Sequence, residues 1–151
     1  MAFGRLARNL LSTGAVAGLA LGLIAVQAQG SVAEPAADAQ QSIVVTVTPS
    51  TGLTDGEAVA VSGTGLVPET VYHVGQCVAV DPVTLACNGE ELVDVTSDSE
   101  GNVDTTLTVR LTFDGVIGDE PWGPVDCSVD SCFVGLGDDN WNGGGAPVSF
   151  A

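Results

Sequence analysis

The sequence contains no lysine, and its only bases are Arg5, Arg8 and Arg110, set against 19 acidic residues. A chain of net charge −16 cannot neutralise a phosphate backbone, which excludes direct, stable binding to nucleic acid. A basic helix lying on a membrane surface is excluded for the same reason. Histidine occurs once, as His73, and no serine sits in a G-x-S-x-G elbow, so nucleophilic catalysis lacks its partners. Aromatic residues are only 5% of the chain, which argues against a sugar site with stacking rings. The paired acids Glu90-Glu91 and Asp119-Glu120 therefore read as solvated turns rather than as the two carboxylates of a glycosidase. No enzyme is expected. Charged residues are also few, at 15%, against 45% hydrophobic residues, so a disordered acidic chain is excluded as well.

What is present begins with an export signal. Arg5 and Arg8 precede an apolar run from Leu10 to Val26, and Val26-Gln27-Ala28 offers small residues for cleavage. The run is short for a membrane span and is diluted by glycines and by Ser12-Thr13. Residues 1–28 are read as a signal peptide; the Ala/Gln/Pro-rich stretch to residue 40 is a leader, with Ala33 and Ala39 as alternative cleavage points. The remaining 41–151 is one domain of a secreted, extracellular protein with no membrane partner. Setting aside Glu34 and Asp38 leaves 17 acids in that domain against Arg110 alone.

Export puts the four cysteines in an oxidising compartment. They allow three pairings. Cys77 and Cys87 are ten apart and Cys127 and Cys132 five apart, so two local loops are the simplest. The spacing suits neither a zinc site nor the long-range bridge of antibody domains.

Period-two patterns run through the rest. Ile43, Val45 and Val47 alternate with Val44, Thr46 and Thr48; Val59 and Val61 alternate with Ala58, Ala60 and Ser62. Val103, Thr105, Leu107, Val109 and Leu111 share one face, with Asp104, Thr106, Thr108 and Arg110 on the other. Val71 to Val80, Cys132 to Leu136 and Pro147 to Phe150 are further strands. Asp55-Gly56, Asp98-Ser99-Glu100-Gly101 and Asp114-Gly115 read as turns, and Gly143-Gly144-Gly145 as a flexible turn before the last strand. Roughly seven short strands without a capped helix predict an all-β antiparallel sandwich. His73 is expected to be a strand residue with a local hydrogen bond. Asp138-Asp139-Asn140-Trp141-Asn142-Gly143 fits the first half of an EF-hand loop, but the position of its bidentate Glu holds Ser149. It reads as a surface loop, with a weak calcium site as the alternative; no metal is expected.

Six ordered motifs carry a family resemblance: Thr48-Pro49-Ser50-Thr51-Gly52-Leu53-Thr54-Asp55-Gly56, Val74-Gly75-Gln76-Cys77, Leu85-Ala86-Cys87-Asn88, Leu107-Thr108-Val109-Arg110, Val125-Asp126-Cys127 and Val148-Ser149-Phe150. With this spacing the chain, from Val44 to Phe150, resembles the neocarzinostatin family of enediyne-antibiotic apoproteins. The resemblance implies a seven-stranded immunoglobulin-like β-sandwich with two local disulfides, secreted as a monomer by an actinomycete-type bacterium. It implies a cleft that holds a labile enediyne chromophore non-covalently, protecting and then releasing it. DNA would be met only indirectly, by the released chromophore.

The resemblance also carries over a chromophore-binding set. Gly75, Gln76, the Cys77–Cys87 bridge and Leu85 match positions that line the family's pocket. Other positions depart from it. Ala79 stands for a tryptophan, Leu92 for an aromatic, Ile117 or Gly118 for the aromatic of a mobile loop, Phe133 for a glutamine, Gly137 for a serine, and His73 for an aspartate. A different enediyne is implied. Phe133 is read as either a stacking surface or a core residue, because alternation alone does not say which face it takes. The exported chain would lack a free thiol, lysine and methionine, groups that would attack a reactive cargo or be oxidised by it. The alternative reading is a secreted immunoglobulin-like adhesion or wall-associated module without a small ligand. An open apolar cleft around Gly75, Leu85, Leu92 and Phe133 favours the carrier; a filled groove favours the module.

Overall fold

The computed structural model describes residues 42–151, so the expected signal peptide and leader lie outside the described residues. Ten strands follow in order: β1 (Val44–Thr48), β2 (Glu57–Thr64), β3 (Val71–Asp81), β4 (Thr84–Asn88), β5 (Val93–Thr96), β6 (Val103–Val109), β7 (Thr112–Ile117), β8 (Glu120–Asp126), β9 (Cys132–Gly137) and β10 (Gly143–Pro147). One sheet has the order β1-β2-β6. The other runs β10-β9-β3-β4-β7-β8, with β5 also paired to β3. Every strand pairing is antiparallel.

The alternation read from the sequence builds the interior. In β6, Val103, Leu107 and Val109 are buried while Asp104 and Thr106 are exposed. Val59 faces Leu107 and Val61 faces Thr105 across β2 and β6. The larger sheet covers this face with Tyr72, Val74, Val78, Val134 and Leu136, completing an all-β sandwich with one core. Fully burying each such side chain contributes about 1.5–3 kcal/mol. Tyr72 is wholly buried, and its hydroxyl accepts the Val67 N–H at 3.0 Å, which satisfies the one polar atom of the ring.

The strand count exceeds the expected seven because the larger sheet is subdivided. One side of β3 pairs with β9, whereas β5 covers its first half and β4 its second. Two sequence expectations are corrected here. Asp114-Gly115 is not a turn but lies inside β7. A Cβ at Gly115 would stand 3.1 Å from Val125 Cγ2 and 3.3 Å from Ala86 Cβ, so the glycine allows close packing beside a β-bulge. Gly143-Gly144-Gly145 is not a flexible turn either: it forms most of β10 and pairs with Gly137, Leu136 and Gly135. Pro147 ends that strand, and Phe150 makes an isolated parallel bridge with Leu53. The cysteines form the two local bridges, Cys77–Cys87 and Cys127–Cys132.

Candidate functional site

Successive residues of β3 point to opposite faces. Tyr72, Val74, Gln76 and Val78 turn to the core; His73, Gly75, Cys77 and Ala79 turn to the outer face of the larger sheet. Three ladder rows cross that face. Gly75 pairs with Gly135, which pairs with Gly145. On one side lies the row His73, Gly137, Gly143, and on the other the row Cys77, Phe133, Pro147. The middle row has no side chains, so it forms a trough about 10 Å across, from the usual strand spacing.

Two apolar side chains lie over this trough. A Cβ at Gly75 would stand 2.6 Å from Leu92 Cδ2. A Cβ at Gly145 would stand 2.8 Å, and one at Gly135 3.2 Å, from the ring of Phe133. Phe133 therefore takes the outer face, while its neighbour Val134 is buried in the core. Leu92 is half exposed. The Cys77–Cys87 bridge closes the trough along one edge, joining directly opposed residues of β3 and β4.

Next to Leu92 a cavity of about 580 Å³ opens between the β4–β5 connection and the β7–β8 hairpin, lined by Gly89, Leu92, Val116, Gly118, Asp119 and Pro121 among others. A larger cavity of about 740 Å³ is strongly acidic, with Asp55, Glu90, Glu91, Asp114, Asp126 and Asp130 around Arg110. Glu90 and Asp114 border both. None of the expected chromophore-binding positions lines the larger cavity, and its carboxylates suit an apolar cargo poorly. The smaller one, with mostly glycine and aliphatic walls beside Glu90, Asp114 and Asp119, adjoins the trough.

The expected set is thus divided. Gly75, Cys77, Cys87, Phe133 and Gly137 share the outer face, and Leu92 bridges the trough and the smaller cavity. Ala79 and Leu85 pair at the far end of β3 and β4, with Ala79 exposed and Leu85 half-buried. Ile117 packs against the core, and its neighbours Val116 and Gly118 line the cavity instead. Gln76 lies apart most clearly. It is fully buried on the opposite face, where Nε2 donates to the Arg110 carbonyl at 2.7 Å and Oε1 accepts the Arg110 N–H at 2.7 Å. Gly135, Gly145 and Val116 were not anticipated. Alternation within Thr112–Ile117 contained the signal for Val116, but reading Asp114-Gly115 as a turn masked it.

Charge around the site is ordered by few cations. Arg110 Nη2 donates to Glu91 Oε1 at 3.0 Å. At the end of the trough His73 lies between two carboxylates: Nδ1 is 2.7 Å from Asp94 and Nε2 is 2.9 Å from Asp139. The hydrogen bond to Asp139, then that to Asp94, holds the imidazole pKa above its ordinary 6.5. Both ring nitrogens are engaged, so neither stands free to take a proton from a substrate. The Asp138 carboxylate, read as a possible calcium ligand, instead accepts the N–H groups of Asn140 at 2.8 Å and Asn142 at 2.9 Å. Those bonds, that to Asn142 first, hold its pKa below the usual carboxylate value. Among the described residues no group of three His, Cys, Asp or Glu is placed to hold a metal ion. Nor is any helix there long and apolar enough to cross a membrane.

Comparison with known proteins agrees with the fold. The chain is 43% identical to macromomycin of Streptomyces macromomyceticus over 146 residues, 95% of this chain and 96% of that protein. It is 29% identical to the antitumor antibiotic C-1027 apoprotein of Streptomyces globisporus, over 99% of both chains. The solved structure of macromomycin superposes with a TM-score of 0.70 at 47% identity, covering 72% of this chain and 99% of that one. Apokedarcidin does so with a TM-score of 0.58 at 34% identity, covering 73% and 99%. The sequence profile of the neocarzinostatin family matches residues 45–150, essentially the whole sandwich with its two disulfides. By sequence, cysteine pairing and fold, the chain belongs to the neocarzinostatin family.

Proposed function

We propose that this protein is a secreted carrier apoprotein. It binds a labile enediyne chromophore non-covalently, shields it from solvent and releases it. The observation that carries this reading is the side-chain-free row Gly75–Gly135–Gly145, edged by the Cys77–Cys87 bridge and overlain by Leu92 and Phe133. A flat polycyclic cargo needs such a floor, because only glycine lets a ring system approach the backbone over several strands. Each 100 Å² of apolar surface covered there contributes about 2.5 kcal/mol. Leu92 and the Phe133 ring are the natural contacts, because both lie on the trough. The adjoining cavity of about 580 Å³ gives the cargo depth.

Trough residues, rather than the acidic cavity, form the proposed binding set: Gly75, Cys77, Cys87, Leu92, Phe133 and Gly137, with the Ala79–Leu85 pair at its edge, Gly135, Gly145 and Val116 added, and Gln76 and Ile117 removed. No residue is assigned a catalytic role. The carrier acts as a monomer outside the cell, and its acidity keeps it from DNA until the chromophore leaves. The reading as an adhesion module draws support from the covered trough, but it leaves the half-exposed Leu92 and the neighbouring cavity without a use.

Native mass spectrometry of protein purified from its producer, with light excluded, tests the proposal. A bound species of several hundred daltons is expected, on the order of what a pocket of roughly 300–1,000 Å³ admits. Protein that is always empty, in a producer shown to make the chromophore, would overturn it. So would a tight complex of the empty protein with DNA at physiological salt.

A further inference from the structure

We propose that His73 is a latch that fixes the β9–β10 loop as the end wall of the glycine trough, so that the ligand is held best while His73 is charged. The inference rests on the reading that the trough is the ligand site.

The geometry requires a charged ring. Asp94 reaches His73 from β5 and Asp139 from the loop between β9 and β10, at 2.7 and 2.9 Å. Both partners are carboxylates, which accept, so both ring nitrogens must donate. A neutral imidazole donates once and would turn a lone pair toward the other carboxylate. The latch thus joins three segments far apart in the chain at the row adjoining Gly75.

The loop it holds is tied together internally. Asp138 ties the loop to itself, accepting Asn140 and Asn142 N–H groups through its carboxylate and the Trp141 N–H through its carbonyl at 3.0 Å. Trp141 sits in this loop in the left-handed region, at φ 63°, a costly conformation for a bulky residue that the flanking bonds maintain. It is 83% exposed, two residues from Gly143 in the end row of the trough. Asp139 is the loop residue that reaches back to His73.

The latch also has a clean titration. Asp94 and Asp139 are the charged groups facing His73. Its row partners on β9 and β10 are Gly137 and Gly143, and Asp138 is turned into its own loop. With lysine absent and all four cysteines in disulfides, His73 is the one described side chain whose ordinary pKa lies between about 5 and 9. Its pKa is raised in the folded protein. The latch is therefore complete below 6.5, down to the carboxylate range, and opens as pH rises through the raised value.

Binding of the neutral polycyclic dye Nile red at about pH 6 and about pH 9 tests this. It is measured for the full chain and for His73→Gln, Asp139→Asn and Phe133→Ala, alongside NMR titration of the His73 ring and amide exchange of Asn140 to Asn142 without dye. The native dissociation constant should rise roughly fivefold at the higher pH as loop protection, taken relative to the intrinsic exchange rate at each pH, falls. His73→Gln and Asp139→Asn should be weak and nearly pH-independent. Phe133→Ala should weaken binding at both pH values and keep the native ratio. An ordinary midpoint for His73 with unchanged loop protection overturns the latch. A loop that responds while dye affinity stays flat overturns its role as a wall, leaving the trough reading intact. Failure of the native protein to bind the dye at either pH sinks the trough reading, and the wall with it.

Discussion

The side-chain amide of Gln76 exchanges two hydrogen bonds with the backbone of Arg110, each 2.7 Å long, and thereby joins the middle of the larger sheet to the end of β6 in the smaller one. The same Nε2 lies 3.1 Å from Cys127 Sγ. The amide acts as one rung of a ladder built from a side chain, in the core behind the trough.

Replacing Gln76 should consequently affect stability before it affects binding. Gln76→Leu fills the same space but leaves a part-buried N–H and a part-buried carbonyl of Arg110 without partners. A loss of about 2–4 kcal/mol is expected, read as a lower urea midpoint with an unchanged slope. Dye or chromophore affinity of the folded variant should stay near native. A large affinity loss without a stability loss would return Gln76 to the binding set.

Glycine substitutions along the trough should separate floor from cover. At Gly75 a new methyl meets the free end of Leu92, which can swing outward. Gly75→Ala should cost under about 1 kcal/mol and mainly alter ligand affinity. At Gly145 the methyl meets the Phe133 ring at 2.8 Å and the Val134 carbonyl at 3.2 Å, and backbone yields poorly. Gly145→Ala should cost about 1–3 kcal/mol, measurable by thermal unfolding.

A nucleophile placed near the cargo should shorten its life. Ala79 is exposed, next to Val78 of the core and across from Leu85. Ala79→Lys should leave the melting temperature within a few degrees, since surface changes usually stay within about 0.5 kcal/mol. The bound chromophore's half-life in the dark should fall. An unchanged half-life with intact binding would remove chemical inertness as the reason that lysine is absent.

Stability should decline on both sides of a plateau. The folded pKa of His73 lies above 6.5, so its contribution is present below 6.5 and lost as pH rises through the folded value. Asp98 and Asp138 are shifted the other way, chiefly by N–H groups of Asn102 and Asn142, and their contributions are lost as pH falls below 3.8. Melting temperatures across this range should show both limbs. His73→Gln should remove the alkaline limb alone, and Asp138→Ala should weaken the acid one.

Short-range chemistry was legible without coordinates. The alternation of Val103, Leu107 and Val109, the turn at Asp98 to Gly101 and the two local cysteine loops each depend on neighbours within about a dozen residues. They were enough for an all-β sandwich and, with the motifs, for the family. The tertiary structure decided what those patterns leave open. A period of two says that Phe133 and Val134 face opposite ways, not which of them meets the core. Gln76 shares the core face of Tyr72 and Val74 because the second sheet lies on that side. Above all, Gly75, Gly135 and Gly145 are spread over some seventy residues of chain and carry no hydrophobic pattern. Only the register of β3, β9 and β10 sets them in one row, because register is fixed by which faces are buried across the whole sheet and not by any single strand.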